Sequence, residues 1–190
     1  MKILALDTST LTGSVALLEE RGGQLFLNAE VILSVSTKHS QSLMPAIEEI
    51  LEENQILVNE IDLFAVSEGP GSFTGLRIGI ATTQGLAMAA EKPCVGVSSL
   101  LALALNGSFF PGFVVPMLDA RRGEVYSAAL RASEFVIEET AITPEDLLNQ
   151  LSQISPEEPV LFLGQGAEVY RDLIISKFAV KGDKKNITPS

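Results

Sequence analysis

Residues 2–35 read KILALDTSTLTGSVALLEERGGQLFLNAEVILSV, and this stretch decides the fold class. KILALD (2–7) predicts a buried strand. A Thr- and Ser-rich turn follows, then GSVALLE (13–19) as a second strand. Gly22-Gly23 marks another turn, and 24–35 predicts a third strand. Consecutive strands joined by short turns make an antiparallel meander.

Beyond the meander the pattern changes period. In 39–53, Leu43, Met44, Ile47, Ile50 and Leu51 fall at i, i+1, i+4, i+7 and i+8, with Glu48, Glu49, Glu52 and Glu53 opposite. That spacing predicts an amphipathic helix. IDLFAV (61–66) predicts a strand, GPGSF a turn, 74–90 a second helix and 94–97 another strand. Meander strands followed by alternating helices and strands predict an α/β fold, a mixed sheet covered by helices. Residues 98–112 hold a short helix and a connection with Asn106-Gly107 and Pro111-Gly112, which places a domain boundary there. We expect a first domain over 1–104 and a smaller second one over 105–190. The second half repeats the logic: strands at 113–118, 124–131 and about 135–139, then a helix, strand 159–163 and helix 167–178. Thr143-Pro144 reads as an N-cap with Pro at the first helical position and Asp146 in the first turn.

Composition narrows the function classes. Of 190 residues, 46% are hydrophobic and 19% charged, enough for a substantial core. No apolar run reaches the roughly 18–20 residues that span a bilayer. The N-terminus reads as a first strand rather than a signal peptide, since Asp7 interrupts its apolar run. Cys94 alone excludes an intrachain disulfide, fits a reducing compartment and reads as a buried strand residue. The net charge of −11 repels a phosphate backbone, so a partner is expected to supply any grip on nucleic acid. KGDKK near the C-terminus reads as a solvated tail.

The chemistry-bearing motifs are few. His39 is the only histidine, so no paired-histidine metal motif exists; it reads as part of a helix start in STKHSQS (36–42). No G-x-S-x-G elbow is present. Gly69, Gly71 and Gly75 make G-x-G-x-x-x-G between a strand and a helix, the context of a phosphate loop without its spacing or lysine. Backbone N–H groups at that helix start could hold an anion; the plainer reading is a tight turn that lets Phe73 tuck under the helix. In the helix, Gly79 and Gly85 each cost about 1 kcal/mol against Ala, an expense that close helix–helix approach offsets. Arg77 is the lone cation there, suited to an acidic group across an interface. The apolar faces of this helix and of 39–53 are either core or docking surface. MLDARRGEVY (117–126) crowds Asp119, Arg121, Arg122 and Glu124 into a turn, either a self-neutralising structural turn or an interdomain or ligand contact.

In order along the chain stand LALDTST, HSQSLMPAI, SEGPGSFTGLRIG, PMLDARRGEVY and LFLGQGAEVY. This ordered set resembles the TsaB (YeaZ) family of bacterial tRNA threonylcarbamoyladenosine biosynthesis proteins, across nearly the whole chain. The resemblance implies an actin-like, Hsp70-like (ribonuclease H-like) fold with two related domains. It implies a paralogue of the metal-bearing TsaD transferases, which hold metal through paired histidines; here His39 has Leu43 four residues on, so no metal, no catalytic residue and no intrinsic cofactor are expected. The implied role is a partner subunit of a TsaD-like transferase, with a TsaE-like ATPase, in threonylcarbamoyl transfer to adenosine 37 of tRNA. The heterodimer with TsaD, or a homodimer, would use the first-domain helices: Leu43, Met44, Ile47, Ile50, Leu51, Thr74, Arg77, Ile78 and Ala81. tRNA would be contacted mainly through partners, in the cytoplasm and away from membranes. Asp7, Thr8 and Ser9 resemble the first phosphate-binding hairpin of the superfamily; with Gly69, Gly71 and Ser72 they are the candidate nucleotide or anion residues, with ATP or ADP expected only in the complex. An actin-like ATPase or phosphotransferase is the alternative. Asp119, Arg121 and Glu124 are expected as a structural turn. Similar proteins continue past NITPS with helical residues that return to the first domain, so a truncated second domain is expected.

Overall fold

The computed structural model describes residues 1–33, 39–154 and 157–178. The chain forms two compact units, Met1–Ser99 and Leu100–Ser190, against the expected division at 104/105. The last two residues expected in the third strand, the Ser/Thr capping of the first helix and the KGDKK tail lie outside the described residues.

In the first unit, β1 (Lys2–Asp7), β2 (Gly13–Arg21) and β3 (Gln24–Leu33) form the meander. Then come α1 (His39–Glu53), β4 (Leu63–Gly69), α2 (Phe73–Ala90) and β5 (Cys94–Ser98). The sheet order is β3-β2-β1-β4-β5, with β1 parallel to β4 and β4 parallel to β5. An antiparallel meander extended by parallel strands in this order is the actin-like, ribonuclease H-like arrangement. One sheet face carries Leu4, Leu6, Val15, Leu17, Phe64 and Val66, and α1 and α2 cover it with Leu43, Ile47, Ile50, Ala87 and Ala90. The β4 strand starts later than 61 because Ile61 closes a short 3-10 turn, its N–H donating to Val58 O at 3.3 Å. Cys94 is exposed, contrary to expectation. It opens β5, an edge strand of the sheet, where no further strand lies alongside it among the described residues.

The second unit opens with α3 (Ser99–Leu105), whose first residue belongs to the first unit. It continues with β6 (Phe113–Arg121), β7 (Glu124–Arg131), β8 (Glu134–Ile142), α4 (Pro144–Ile154) and β9 (Val160–Leu163). Its sheet order is β8-β7-β6-β9, again a meander with one parallel strand added. Residues 113–118 of β6 are buried throughout: Phe113, Val115 and Met117 face Leu147, Leu148, Leu151 and Ile174, while Val114 and Leu118 pack with Leu100 and Ala104. A strand covered on both faces needs such a continuous apolar run. The single helix expected over 167–178 is two, α5 (Gln165–Val169) and α6 (Arg171–Phe178). The break is Tyr170, at φ −104 and ψ 21, after Gly166, where a Cβ would stand 2.9 Å from the Met117 carbonyl oxygen.

Thr143 caps α4 as its sequence predicts. Its Oγ1 accepts from Asp146 N–H at 3.2 Å and donates to Asp146 Oδ2 at 2.8 Å. A side-chain acceptor here satisfies a backbone donor that has no intrahelical partner. Thr143→Ala should therefore lower stability by about 1 kcal/mol, read as a lower urea midpoint at unchanged m. An unchanged midpoint would show that the cap contributes nothing.

Candidate functional site

The site begins with a backbone contact. β1 ends in Asp7, and the turn to β2 carries Thr8 and Ser9, which are 0% and 2% exposed. Asp7 Oδ1 accepts the Ser9 N–H at 2.7 Å and holds the turn shut. The start of α2 lies directly on this turn. Ser72 N–H donates to Ser9 O at 2.6 Å, and Thr8 Oγ1 donates to Gly75 O at 2.8 Å. Ser72 itself caps α2, its hydroxyl accepting from Gly75 N at 3.3 Å.

Such an approach is open only to residues without a side chain. A Cβ at Gly71 would fall within 3.0 Å of Ser9 O, one at Gly75 within 3.0 Å of Thr8 O, and one at Gly79 within 3.0 Å of Thr8 Oγ1. Gly75 and Gly79 share one helix face. Close helix–helix approach was the expected reason for the interior glycines, and for Gly79 it is wrong: the tight neighbour is the β1–β2 turn of the same unit. Gly85 differs, with nothing within 4 Å of a Cβ built there.

The candidate anion residues are thus brought together, with several of their polar groups engaged on each other. The Ser72 N–H and Thr8 hydroxyl are taken by the protein, and Gly69, at φ +122, places Leu76 Cδ1 3.4 Å from where its Cβ would stand. One group stays over: Ser9 Oγ is buried with no hydrogen-bond partner among the described residues. His39 begins α1, and the position four residues on, Leu43, is buried. Among the described residues no group of three His, Cys, Asp or Glu side chains is placed to hold a metal ion.

The expected docking residues divide. Leu43, Ile47, Ile50 and Leu51 are buried in the first unit's core, so their side chains are not surface. The stripe goes inward because α1 lies on β2 and β3, whose apolar faces require cover. Met44 is the exposed member, at 39%. On α2, Thr74, Arg77 and Ala81 point outward, while Ile78 packs against the core. Phe73 does not tuck under the helix; it is 74% exposed, and the Arg77 guanidinium stacks 5.5 Å from its ring centroid. Gln84, Gly85, Met88 and Ala89 extend the outward face, with Met88 80% exposed. The sequence signal for them was the four-residue spacing onward from Arg77 and Ala81.

In the second unit the β6–β7 turn, read as either a self-neutralising turn or a contact, shows no arginine–carboxylate ion pair among the described residues. Asp119 Oδ1 accepts the Arg121 backbone N–H at 2.8 Å instead of a guanidinium. Arg121 pairs with Glu124 in the strand register, and Arg121 and Arg122 both sit at positive φ, 64 and 56.

Comparison with known proteins now decides the family. Residues 33–188 match the model of the TsaD family, tRNA N6-adenosine threonylcarbamoyltransferase. The tRNA threonylcarbamoyladenosine biosynthesis protein TsaB of Bacillus subtilis is 35% identical over 184 residues, 96% of this chain and 79% of that relative. Its Escherichia coli namesake is 38% identical over 180 residues, 91% of this chain and 75% of the relative. The chain belongs to the TsaB family. Among solved structures, YeaZ from Pseudomonas aeruginosa aligns with a TM-score of 0.64 at 35% identity, over 76% of this chain and 68% of that one. A protein described as similar to peptidase YeaZ aligns at 0.68 and 25% identity, over 100% and 98%. Both agree with the actin-like fold derived from strand order. For this TsaB-family chain, the glycine-rich motif is the seat of α2.

The two kinds of glycine make opposite predictions. Gly75→Ala should destabilise the isolated chain by about 1–3 kcal/mol, because backbone must move to admit the methyl group. Gly85→Ala should stabilise it by up to about 1 kcal/mol through helix propensity. Denaturant titrations of both variants check this; stabilisation by both would show that the turn contact is not tight.

Proposed function

We propose that this chain is a non-catalytic partner subunit that binds a TsaD-like transferase and, with a TsaE-like ATPase, serves threonylcarbamoyl transfer to adenosine 37 of tRNA. The observation that carries this reading is the outward face of α2. A helix that ends its contacts at solvent normally turns charged residues outward. Here the exposed positions are Phe73, Thr74, Arg77, Ala81, Gln84, Gly85, Met88 and Ala89, with one cation and no acid. Exposed apolar surface of this kind marks a protein contact, and Ala81 and Gly85 let a partner backbone come close. The same face would serve a homodimer, so a second copy competes with the transferase for it. An aromatic with a stacked arginine, Phe73 with Arg77, is a good anchor at the centre of such a contact.

The acidic chain, at −11, leaves most of the grip on tRNA to the partners. The reading places the assembly in the cytoplasm; among the described residues no helix is long and apolar enough to cross a membrane. Nucleotide binding by the isolated chain is the second reading, and the buried, unpartnered Ser9 hydroxyl is what favours it. Against it stand the engaged Thr8 hydroxyl and Ser72 N–H. We therefore place any ATP or ADP in the complex; calorimetric binding of either to the chain alone would favour the second reading.

Size-exclusion chromatography of the chain with its cognate TsaD-like transferase, with and without the ATPase and nucleotide, should show a complex. Ala81→Glu should abolish it while leaving the thermal midpoint of the chain unchanged, since Ala81 is exposed. Ile78→Glu should instead lower the midpoint, because Ile78 packs on the core. Absence of a complex, or an Ala81→Glu chain that assembles as well as the parent, would overturn the reading.

A further inference from the structure

The β6–β7 turn is a sequence motif that the α2 surface does not explain. Its distinguishing feature is a pair of arginines at positive φ with no carboxylate partner among the described residues. Several of the described cations are engaged: Lys2 with Glu60, Arg21 with Glu19, Lys92 with Asp62, Arg131 with Glu158; Arg171, which opens α6, is not among them. Arg77 stacks on Phe73, and Lys177 donates to Asn149. Among the described residues no ion pair involves Arg121 or Arg122, although Asp119 and Glu124 belong to the same turn. Asp119 is diverted to the Arg121 backbone N–H.

The first unit supplies an internal comparison. Its β2–β3 turn places Gly22 and Gly23 at positive φ, and the flanking Arg21 is neutralised by Glu19. The β6–β7 turn places Arg121, Arg122 and Gly123 at φ 64, 56 and 84, and neutralises neither arginine. Left-handed backbone is unfavourable for a residue with a Cβ, so glycine would be the easier choice at both positions. The β7–β8 turn also carries residues with side chains at positive φ, Ala132 and Ser133, but its flanking Arg131 is paired with Glu158 and lies over Phe113. The combination of strained backbone and unpaired guanidinium belongs to 121–122. Nothing lies within 4 Å of a Cβ built at Gly123, so the tip is open to a bulky approach.

We propose that Arg121 and Arg122 form a phosphate-docking tip that contacts the sugar–phosphate backbone of the tRNA. This inference rests on the function proposed above. Guanidinium groups present paired N–H donors that match phosphate oxygens. A two-arginine tip gives an acidic chain a point of attraction for phosphate, which orients a tRNA held mainly by the partners. The contact is sequence-independent and salt-sensitive.

The test replaces both residues by glycine, R121G/R122G, because glycine suits the positive φ and removes both guanidinium side chains. The double variant should keep the thermal midpoint of the chain and its complex with the TsaD-like transferase on size-exclusion chromatography. The complex should then bind an unmodified tRNA transcript about tenfold more weakly at low salt, and the slope of log affinity against log salt should fall by about 1.4–1.8. Charge reversal, R121E/R122E, should weaken binding further. A complex that forms and binds the transcript with the same affinity and slope overturns this proposal alone. Loss of the complex in R121G/R122G also overturns it, and assigns the tip to an acidic protein surface. Failure of the unaltered chain to form a complex overturns the function reading and this proposal with it. Weakened binding of ATP with unchanged tRNA affinity would assign the phosphate to a nucleotide and overturn the tRNA contact.

Discussion

The first unit is organised by the contact of the Thr8–Ser9 turn with the glycine side of α2. Two hydrogen bonds join them, and three missing side chains let them meet. The turn leaves the end of β1, and α2 follows β4, the strand hydrogen-bonded beside β1. The contact therefore fixes how the helix leaves the sheet. With Gly75, Gly79, Thr83, Ala87 and Ala90 turned inward, the opposite face must point outward. Phe73, Arg77, Ala81 and Met88 are presented as a consequence, not as separate features.

The same contact has a chemical consequence. A hairpin at the end of β1 beside a helix N-terminus is where an actin-like protein could place phosphate oxygens. Here protein backbone and hydroxyl groups meet each other at that place, with Ser9 Oγ left over. The first unit has the actin-like strand order, and here these residues hold the start of α2 against the turn. Under the proposed function, a surface on such a helix would present its anchors at little entropic cost.

Much of this was legible in residues 2–35 and the segments after them. The meander, the alternating elements, the Thr143 cap and the repeated pattern in the second unit all follow from period and turn chemistry, which are local. The misreadings were of another kind. The stripe Leu43, Ile47, Ile50 and Leu51 looks the same whether it faces a sheet or a partner, and only the position of β2 and β3 beneath α1 settles it. Cys94 reads as buried because its neighbours are apolar, yet β5 lies at the sheet edge. Asp119 looks like a partner for an arginine, and a backbone N–H takes it.

The sequence by itself determined the family, the order of elements along the chain and the presence of a small-residue helix behind a glycine turn. These depend on motifs and on periodicities of two and 3.6 residues, which are written locally. Tertiary structure alone decided what each glycine is for. Gly79 and Gly85 lie in one helix and carry the same helix-propensity penalty, yet one meets the Thr8 hydroxyl and the other meets open space. The difference is the place of the β1–β2 turn, and that turn lies some 70 residues earlier in the chain.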